Sequence, residues 1–512
     1  MWLGAAIHAT SAALLRRRLA RLQQDFNNPD LAQDQVVSYL IAQGAATHFG
    51  RDHGFERHLN PRQLAERVPV RTYEELYPYL ERTLRGEAHV LWPGRPRWFA
   101  KSSGTTNDRS KYIPLTPESF AQTHYRAGRD TIAWYFANHG RSHGLSGRAL
   151  SIGGSSEVNQ FADTGSRYGD LSACLIENLP PFYQWLRTPS RRVALMAEWE
   201  AKLEAMAHET YGQDIVSIFG VPTWTVVLIR RLLALYQART GRAAPSLRTL
   251  WPRLEVFFHG AVSFTPYRVQ FAQLIPEADM RYWEVYNASE GYFACQYAPG
   301  APGMALLPGH GIYYEFVALD DLGSPHPPTR TLAELAVGQV YAPVISTVGG
   351  LWRYLIGDTV EVVGLNPVRV VVAGRTQHYI NAFGEELMVA NTDAALAEAC
   401  AATGAVVVDY TAAPIYFSGQ SSGAHEWAIE FSAPPPDLAA FVVHLDAVLQ
   451  RLNSDYAAKR YADLALRLPV VHAVAPGTFA AWLKARGKLG GQHKVPRLKN
   501  DRTVLEAVLG AG

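Results

Sequence analysis

The sequence predicts an α/β protein, with a large N-terminal domain of β-sheets and helices and a small α+β C-terminal domain. Three observations lead there. Over residues 191–346, stretches with apolar residues at three- and four-residue steps alternate with short apolar runs, a pattern that packs helices onto a sheet. Two β-branched runs, 359–363 and 368–373, flank the turn residues 364–367 and read as a hairpin. Beyond Gly374 and Arg375 the texture restarts, with a helix at 392–402, strands at 405–410 and 427–431 and a helix at 437–452. The boundary falls there, giving domains 1–374 and 375–512.

The elements follow in order. Residues 1–15 are apolar, but Arg16, Arg17 and Arg18 follow the apolar part instead of preceding it, so the segment reads as an amphipathic surface helix and not as a signal peptide. Residues 12–26 and 33–48 have helical periodicity and form an opening helical layer. Residues 98–100 and 111–115 read as strands joined by a polar loop of small residues, 101–110. A helix then starts at Thr116, a good N-cap, with Pro117 at the first helical position and Glu118 facing the helix dipole, and runs to about 136. Helices are expected at 191–211 and 223–240, and strands at 254–258, 280–286, 313–319 and 339–346. The stretch 291–314 has no Asp, Glu, Lys or Arg, but Pro299, Pro302 and Pro308 forbid a spanning helix, and it reads as loop.

Composition excludes several functions. With 48% hydrophobic, 18% charged and 11% aromatic residues, the 512-residue chain is neither disordered nor collagen-like and can bury a large core. Lys and Arg number 48 against 46 Asp and Glu, a net +2, so no overall field selects for nucleic acid or an anionic membrane, and neither is expected as a partner. The three cysteines, Cys174, Cys295 and Cys400, form no CxxC or Cys/His cluster, which speaks against a zinc site and fits a reducing, cytoplasmic compartment. His208 and Glu209 lack the second histidine of a zincin, since position 212 is glycine, and Gly153-Gly154-Ser155-Ser156 is not a nucleophile elbow. Metalloprotease and serine-hydrolase chemistry are therefore discounted.

Four motifs remain. Lys101-Ser102-Ser103-Gly104-Thr105-Thr106-Asn107-Asp108-Arg109-Ser110-Lys111 gathers hydroxyls and cations around a glycine, a composition suited to polyphosphate, although such a run alone is more often a plain hairpin loop. It lacks the spacing of a Walker loop. Tyr286-Asn287-Ala288-Ser289-Glu290 ends a strand, where Glu290 could hold magnesium beside phosphates and Tyr286 could lie against a purine; alone, Glu290 is an ordinary loop acid. Tyr354-Leu355-Ile356-Gly357-Asp358 sets a carboxylate after a tight glycine turn, able to accept both hydroxyls of a ribose, though Gly-Asp is also a common turn. Arg375 could meet ribose or phosphate oxygens at the domain boundary, or be a surface arginine.

In order and spacing these motifs resemble the adenylate-forming superfamily. The finer resemblance, over roughly residues 30–505, is to the GH3 family of acyl acid amido synthetases. It rests also on Gly220-Val221-Pro222-Thr223-Trp224, Ile380-Asn381-Ala382-Phe383-Gly384-Glu385-Glu386-Leu387, His425-Glu426-Trp427, Asn453-Ser454-Asp455-Tyr456, Ala458-Lys459-Arg460 and Gly490-Gly491-Gln492-His493-Lys494-Val495-Pro496-Arg497. The chain departs from the superfamily at Asp108-Arg109, where many members have glycine followed by another residue, and at Asn287, where many relatives have glycine or a small residue.

The resemblance implies a ligase that uses ATP and Mg2+ to turn a carboxylic acid into an acyl adenylate and passes the acyl group to an amine, in particular an amino acid. It implies that Ser102, Ser103, Gly104, Thr105, Thr106 and Lys111 hold phosphates, that Tyr286 and Ser289 belong to the nucleotide site, and that Glu290 holds magnesium. Asp358 and Arg375 would fix the ribose, and Lys494 would reach the adenylation site from a mobile C-terminal domain. Trp224 would line an acyl pocket, although a tryptophan on an apolar stretch is more often core. An acyl-CoA ligase shares the first half-reaction, and a non-catalytic nucleotide-binding module could share the fold. The sequence leaves the acid, the amine and the oligomeric state open.

Overall fold

The computed structural model describes residues 18–106, 109–139, 142, 146–153, 158–375, 379–417, 421–485 and 495–510. The expected surface helix over 1–15 lies outside them. Residues 18–27 are helical, and the helix Pro29–Gly44 follows, starting four residues earlier than its periodicity indicates because Pro29 begins it.

The frame is a twelve-stranded sheet. From one edge it runs Ile312–Ala318, Val340–Thr347, Asp358–Leu365, Val368–Arg375, Met304–Leu306, Gly291–Cys295, Arg281–Ala288, Val256–His259, Ile215–Gly220, Arg148–Ile152 and Arg187–Thr188, with Tyr354–Leu355 paired to the second of these. The run from Arg281–Ala288 to the Arg187–Thr188 edge is parallel and the rest antiparallel. A second sheet of four strands is ordered Arg109–Leu115, Trp98–Thr106, Arg167–Gly169 and Asn159–Gln160.

The expected hairpin at 359–373 forms: Asp358–Leu365 and Val368–Arg375 pair from Leu365 opposite Val368 to Asp358 opposite Arg375. Three expectations need correction. The uncharged stretch 291–314 is not loop; it contains the strands Gly291–Cys295 and Met304–Leu306 and the start of Ile312–Ala318. It lacks charge because these are inner, fully buried strands, and Pro299, Pro302 and Pro308 sit in the connections. The polar segment 101–110 is likewise mostly strand: Ser102 pairs with Lys111 and Thr106 with Arg109. The single helix expected over 191–211 is two, Arg191–Ala194 and Trp199–Thr210.

Thr116 caps its helix as expected, accepting a hydrogen bond from the Ser119 amide at 3.0 Å. The helix opens with a π-helical stretch, Ser119–His124, before Tyr125–Asn138. The C-terminal part is a three-stranded sheet, Val406–Ile415, Ala424–Ala433 and Val470–Val474, with the helices Val389–Thr403 and Leu438–Leu452.

This C-terminal part sits on the helix Pro222–Thr240. One apolar core contains Trp224, Leu228 and Tyr267 together with Phe383, Trp427 and Tyr456. Tyr267 Oη donates to the Ala382 carbonyl at 2.6 Å and Thr223 Oγ1 to the Phe383 carbonyl at 3.0 Å. Glu385 and His425, both fully buried, pair at 2.8 Å. The Glu385 carboxylate also accepts the Phe383 amide at 2.7 Å, and Asn453 Nδ2 donates to the Glu385 carbonyl at 2.9 Å. Four separate sequence stretches, around Thr223, Tyr267, His425 and Asn453, thereby meet and hold the 381–385 turn.

Candidate active site

The parallel strands all point their carboxyl ends at one place. Gly153, Gly220, Val221, Gly260, Ala261 and Ser289, which directly follow or end those strands, line a cleft of about 1590 Å³. Open α/β sheets take their ligands in this position, because the strand ends leave loops and unpaired backbone groups there.

One wall carries the sequence motifs. Lys101, Ser102 and Lys111 line the cleft from the hairpin, with Ser102 and Lys111 opposite each other in the ladder. The Lys111 ammonium lies 5.5 Å from the centre of the Tyr73 ring, and the Tyr73 hydroxyl accepts the Tyr112 amide at 2.9 Å. A ring thus positions a cation beside the hairpin. Ser103, Gly104, Thr105 and Thr106 continue the strand in backbone, and their side chains lie outside the described residues.

Tyr286 and Asp358 come from different strands and meet. Tyr286 Oη donates to Asp358 Oδ2 at 2.7 Å, both residues are buried, and both line the cleft. Asp358 opens its strand directly after Gly357, whose φ of 96° is a conformation that side chains with a Cβ rarely adopt. The turn therefore needs glycine in order to bring the carboxylate under Tyr286. Arg375 pairs with Asp358 through the backbone, and its side chain lies outside the described residues. Ser289 and Glu290 form the tight turn between Arg281–Ala288 and Gly291–Cys295, are half-buried, and line the cleft. Lys494 lies outside the described residues.

The opposite wall joins residues from stretches far apart in the sequence. Trp224, in the first turn of Pro222–Thr240, is buried in the apolar core and also lines the cleft. Above its ring, 3.9 Å from the centroid, is the ammonium of Lys459, from the helix Ser454–Arg460 of the C-terminal part. Burial pushes Lys459 down to about 8, against the opposing pull of Asp455, Glu385 and Asp170. His124 and His259 also line the cleft, and burial pushes them down to about 4 and about 3, so both are neutral at pH 7. Lys459 stands in one of the stretches that resemble the GH3 family, but that resemblance assigns it no partner; the tertiary fold brings Trp224 to it.

Family models match along most of the chain: the GH3 family N-terminal domain over residues 18–280, the central domain over 305–375 and the C-terminal domain over 390–503. The chain belongs to the GH3 family. Among its relatives, an indole-3-acetic acid-amido synthetase, GH3.8 of Oryza sativa subsp. indica, is 22% identical, with 98% of this chain and 94% of that protein covered. A jasmonoyl–L-amino acid synthetase, JAR6 of Nicotiana attenuata, is 21% identical over 65% of this chain and 67% of its own. Two solved structures share the fold. The AtGH3.15 acyl acid amido synthetase in complex with 2,4-DB has a TM-score of 0.62 at 18% identity, covering 97% of this chain and 96% of its own. A 2-hydroxyisobutyryl-CoA ligase with its acyl-AMP and CoA has a TM-score of 0.57 at 15% identity, covering 94% and 92%.

Proposed function

We propose that this GH3 protein is an ATP-dependent acyl acid amido synthetase. It activates a carboxylic acid as the acyl adenylate and transfers the acyl group to an amine, the best candidate being an amino acid. The observation that carries this reading is the convergence on one cleft of the hairpin cations and hydroxyls, the Tyr286–Asp358 pair and the Glu290 turn, in a chain whose relatives are named as amido synthetases.

In the first half-reaction a carboxylate oxygen attacks the α-phosphorus of ATP and the bond to pyrophosphate breaks. In the second, the amine nitrogen attacks the acyl carbon, AMP leaves and the nitrogen loses a proton. Neither step needs a protein nucleophile, so the residues act by positioning and by stabilising charge. Lys101 and Lys111 face phosphate oxygens, with the hydroxyls of Ser102, Ser103, Thr105 and Thr106 and the backbone of Gly104 as donors. Tyr286 holds Asp358 in place to accept the ribose hydroxyls, and Arg375 supports it from the paired strand. Ser289 sits in the same turn as Glu290.

Magnesium that travels with ATP asks for one or two carboxylates and takes its remaining ligands from phosphates and water. The half-buried carboxylate of Glu290 fits that demand, and magnesium there would draw charge from the phosphates. Residues 375–512 form the mobile C-terminal domain in this reading, with Lys494 brought to the adenylate, and 1–374 bind nucleotide and acid. In this reading the enzyme is cytoplasmic and works on small molecules; among the described residues no helix is long and apolar enough to cross a membrane.

The test is pyrophosphate release with ATP, magnesium and a panel of carboxylic acids, followed by mass spectrometry with amino acids and coenzyme A offered together. An amide as the dominant product supports the reading. A CoA thioester would make the chain an acyl-CoA ligase, and silence with every acid would make it a binding module.

A further inference from the structure

Arg187 lines the cleft, whose lining also includes the apolar side chains Leu171, Leu175, Ile176 and Leu186. It stands on the edge strand Arg187–Thr188, opposite Ala149, and is 5% exposed. Its Nη1 donates to Gln184 Oε1 at a long 3.4 Å, while Nε and Nη2 are buried with no acceptor among the described residues. Among the described residues it makes no ion pair. Burial pushes it down to about 10, and the one carboxylate that counters this is Glu209, which is engaged with Ser190.

A guanidinium left this way is costly, since arginine stays charged and a buried unmatched charge loses its hydration without return. The two unmatched nitrogens share one edge of the planar group, the edge that meets both oxygens of a carboxylate in parallel hydrogen bonds. The neighbourhood is already rich in cations. Lys202 is buried close enough to Arg187 to feel it, and Lys202 and Lys459 share the influence of a single half-buried acid, Asp170. Asp170 is itself occupied as the N-cap of Leu171–Glu177, accepting the Ala173 amide at 2.7 Å.

We infer that Arg187 binds a carboxylate that takes no part in the chemistry. Resting on the amido synthetase reading, that carboxylate has two possible carriers: a second acid group on the acyl substrate, or the α-carboxylate of an amino-acid acceptor. The chemistry recognised is the same, and the experiment separates the carriers.

Arg187→Gln and Arg187→Lys are compared with the unaltered enzyme. KM and kcat for acids come from ATP–pyrophosphate exchange, with dicarboxylates from glutarate to suberate set against monocarboxylates of equal chain length. KM for acceptors comes from product formation with L-amino acids set against their carboxamides. The expected result is a rise of about tenfold or more in KM for one carboxylate-bearing set, with kcat nearly unchanged, no change for its matched partner set, and partial recovery in Arg187→Lys. A rise for dicarboxylates assigns the acyl substrate; a rise for amino acids alone assigns the acceptor. Equal effects across both members of a pair, or none, overturn the inference. Should no acid support exchange at all, the amido synthetase reading fails on its own, and the inference is decided by thermal shift. Stabilisation of the unaltered protein by dicarboxylates that is lost in Arg187→Gln then supports it, and an equal or absent shift overturns it.

Discussion

The two walls of the cleft are built by opposite means. The wall that carries the sequence motifs uses local devices: a hairpin with Ser102 opposite Lys111, a two-residue turn carrying Glu290, and Gly357 setting Asp358 at the head of a strand. The facing wall uses burial: Arg187, Lys459 and Trp224 come from distant segments and owe their character to what excludes water around them. The first kind of wall fixes geometry through strand pairing and tight turns. The second stores tension in desolvated cations, which a ligand of opposite charge relieves.

The sharpest way to break the contrast is Glu290→Gln. The change keeps shape and removes charge, so it should lower pyrophosphate exchange by about 10² to 10³, equivalent to roughly 2.7–4 kcal/mol, with the melting temperature nearly unchanged. Near-normal exchange by a folded variant would return Glu290 to the status of a surface acid.

On the other wall the main effect should be on stability and should depend on pH. Lys459 is held down at about 8 in the folded state, from an ordinary 10.5, so between those values the unfolded chain binds more protons and folding gains stability as pH rises. Below pH 8 both states are protonated and the burden of the buried charge is complete. Lys459→Met removes that burden. Its stability advantage over the unaltered protein should therefore shrink by about 3 kcal/mol between pH 7 and pH 10.5, as followed by denaturant unfolding. A constant difference across that range would mean that Lys459 is hydrated.

How much of each wall could be read in the sequence follows from the same contrast. The motif residues Ser102, Lys111, Tyr286, Ser289, Glu290 and Asp358 were all legible, because turns and strand ends need particular residues at fixed spacing, and the structure brings these six to one cleft. The hairpin at 359–373 was legible for the same reason. The strands hidden in 291–314 were not, since full burial removes the alternation that marks a strand and leaves only prolines and glycines to notice. Arg187 falls in none of the stretches that resemble the family; Lys459, Glu385 and His425 do, but the Lys459–Trp224 contact and the Glu385–His425 pair are made only by tertiary contact.

Two smaller tests refine the local wall. Gly357→Ala forces a Cβ into the φ 96° turn and should destabilise the protein by roughly 1–3 kcal/mol, seen as a lower melting temperature and a weaker hold on ATP. Tyr286→Phe removes only the hydroxyl that donates to Asp358. Losing a hydrogen bond to a charged acceptor is worth about 1.5 kcal/mol, so KM for ATP should rise about tenfold with the acid KM unmoved. If both KM values rose together, the pair would be supporting the sheet as a whole and not the nucleotide.

The twelve-stranded sheet has a consequence for local opening. Tyr286 and Asp358 belong to the family's N-terminal-to-central junction and its central segment, yet their strands are joined through Gly291–Cys295, Met304–Leu306 and Val368–Arg375 in unbroken hydrogen-bonded succession. Separating the two residues means breaking that succession, an event close in free energy to unfolding the sheet. Amide protons in these strands should exchange with deuterium on the slowest timescale of the molecule and in step with one another, so that this side of the cleft is rigid before any ligand arrives.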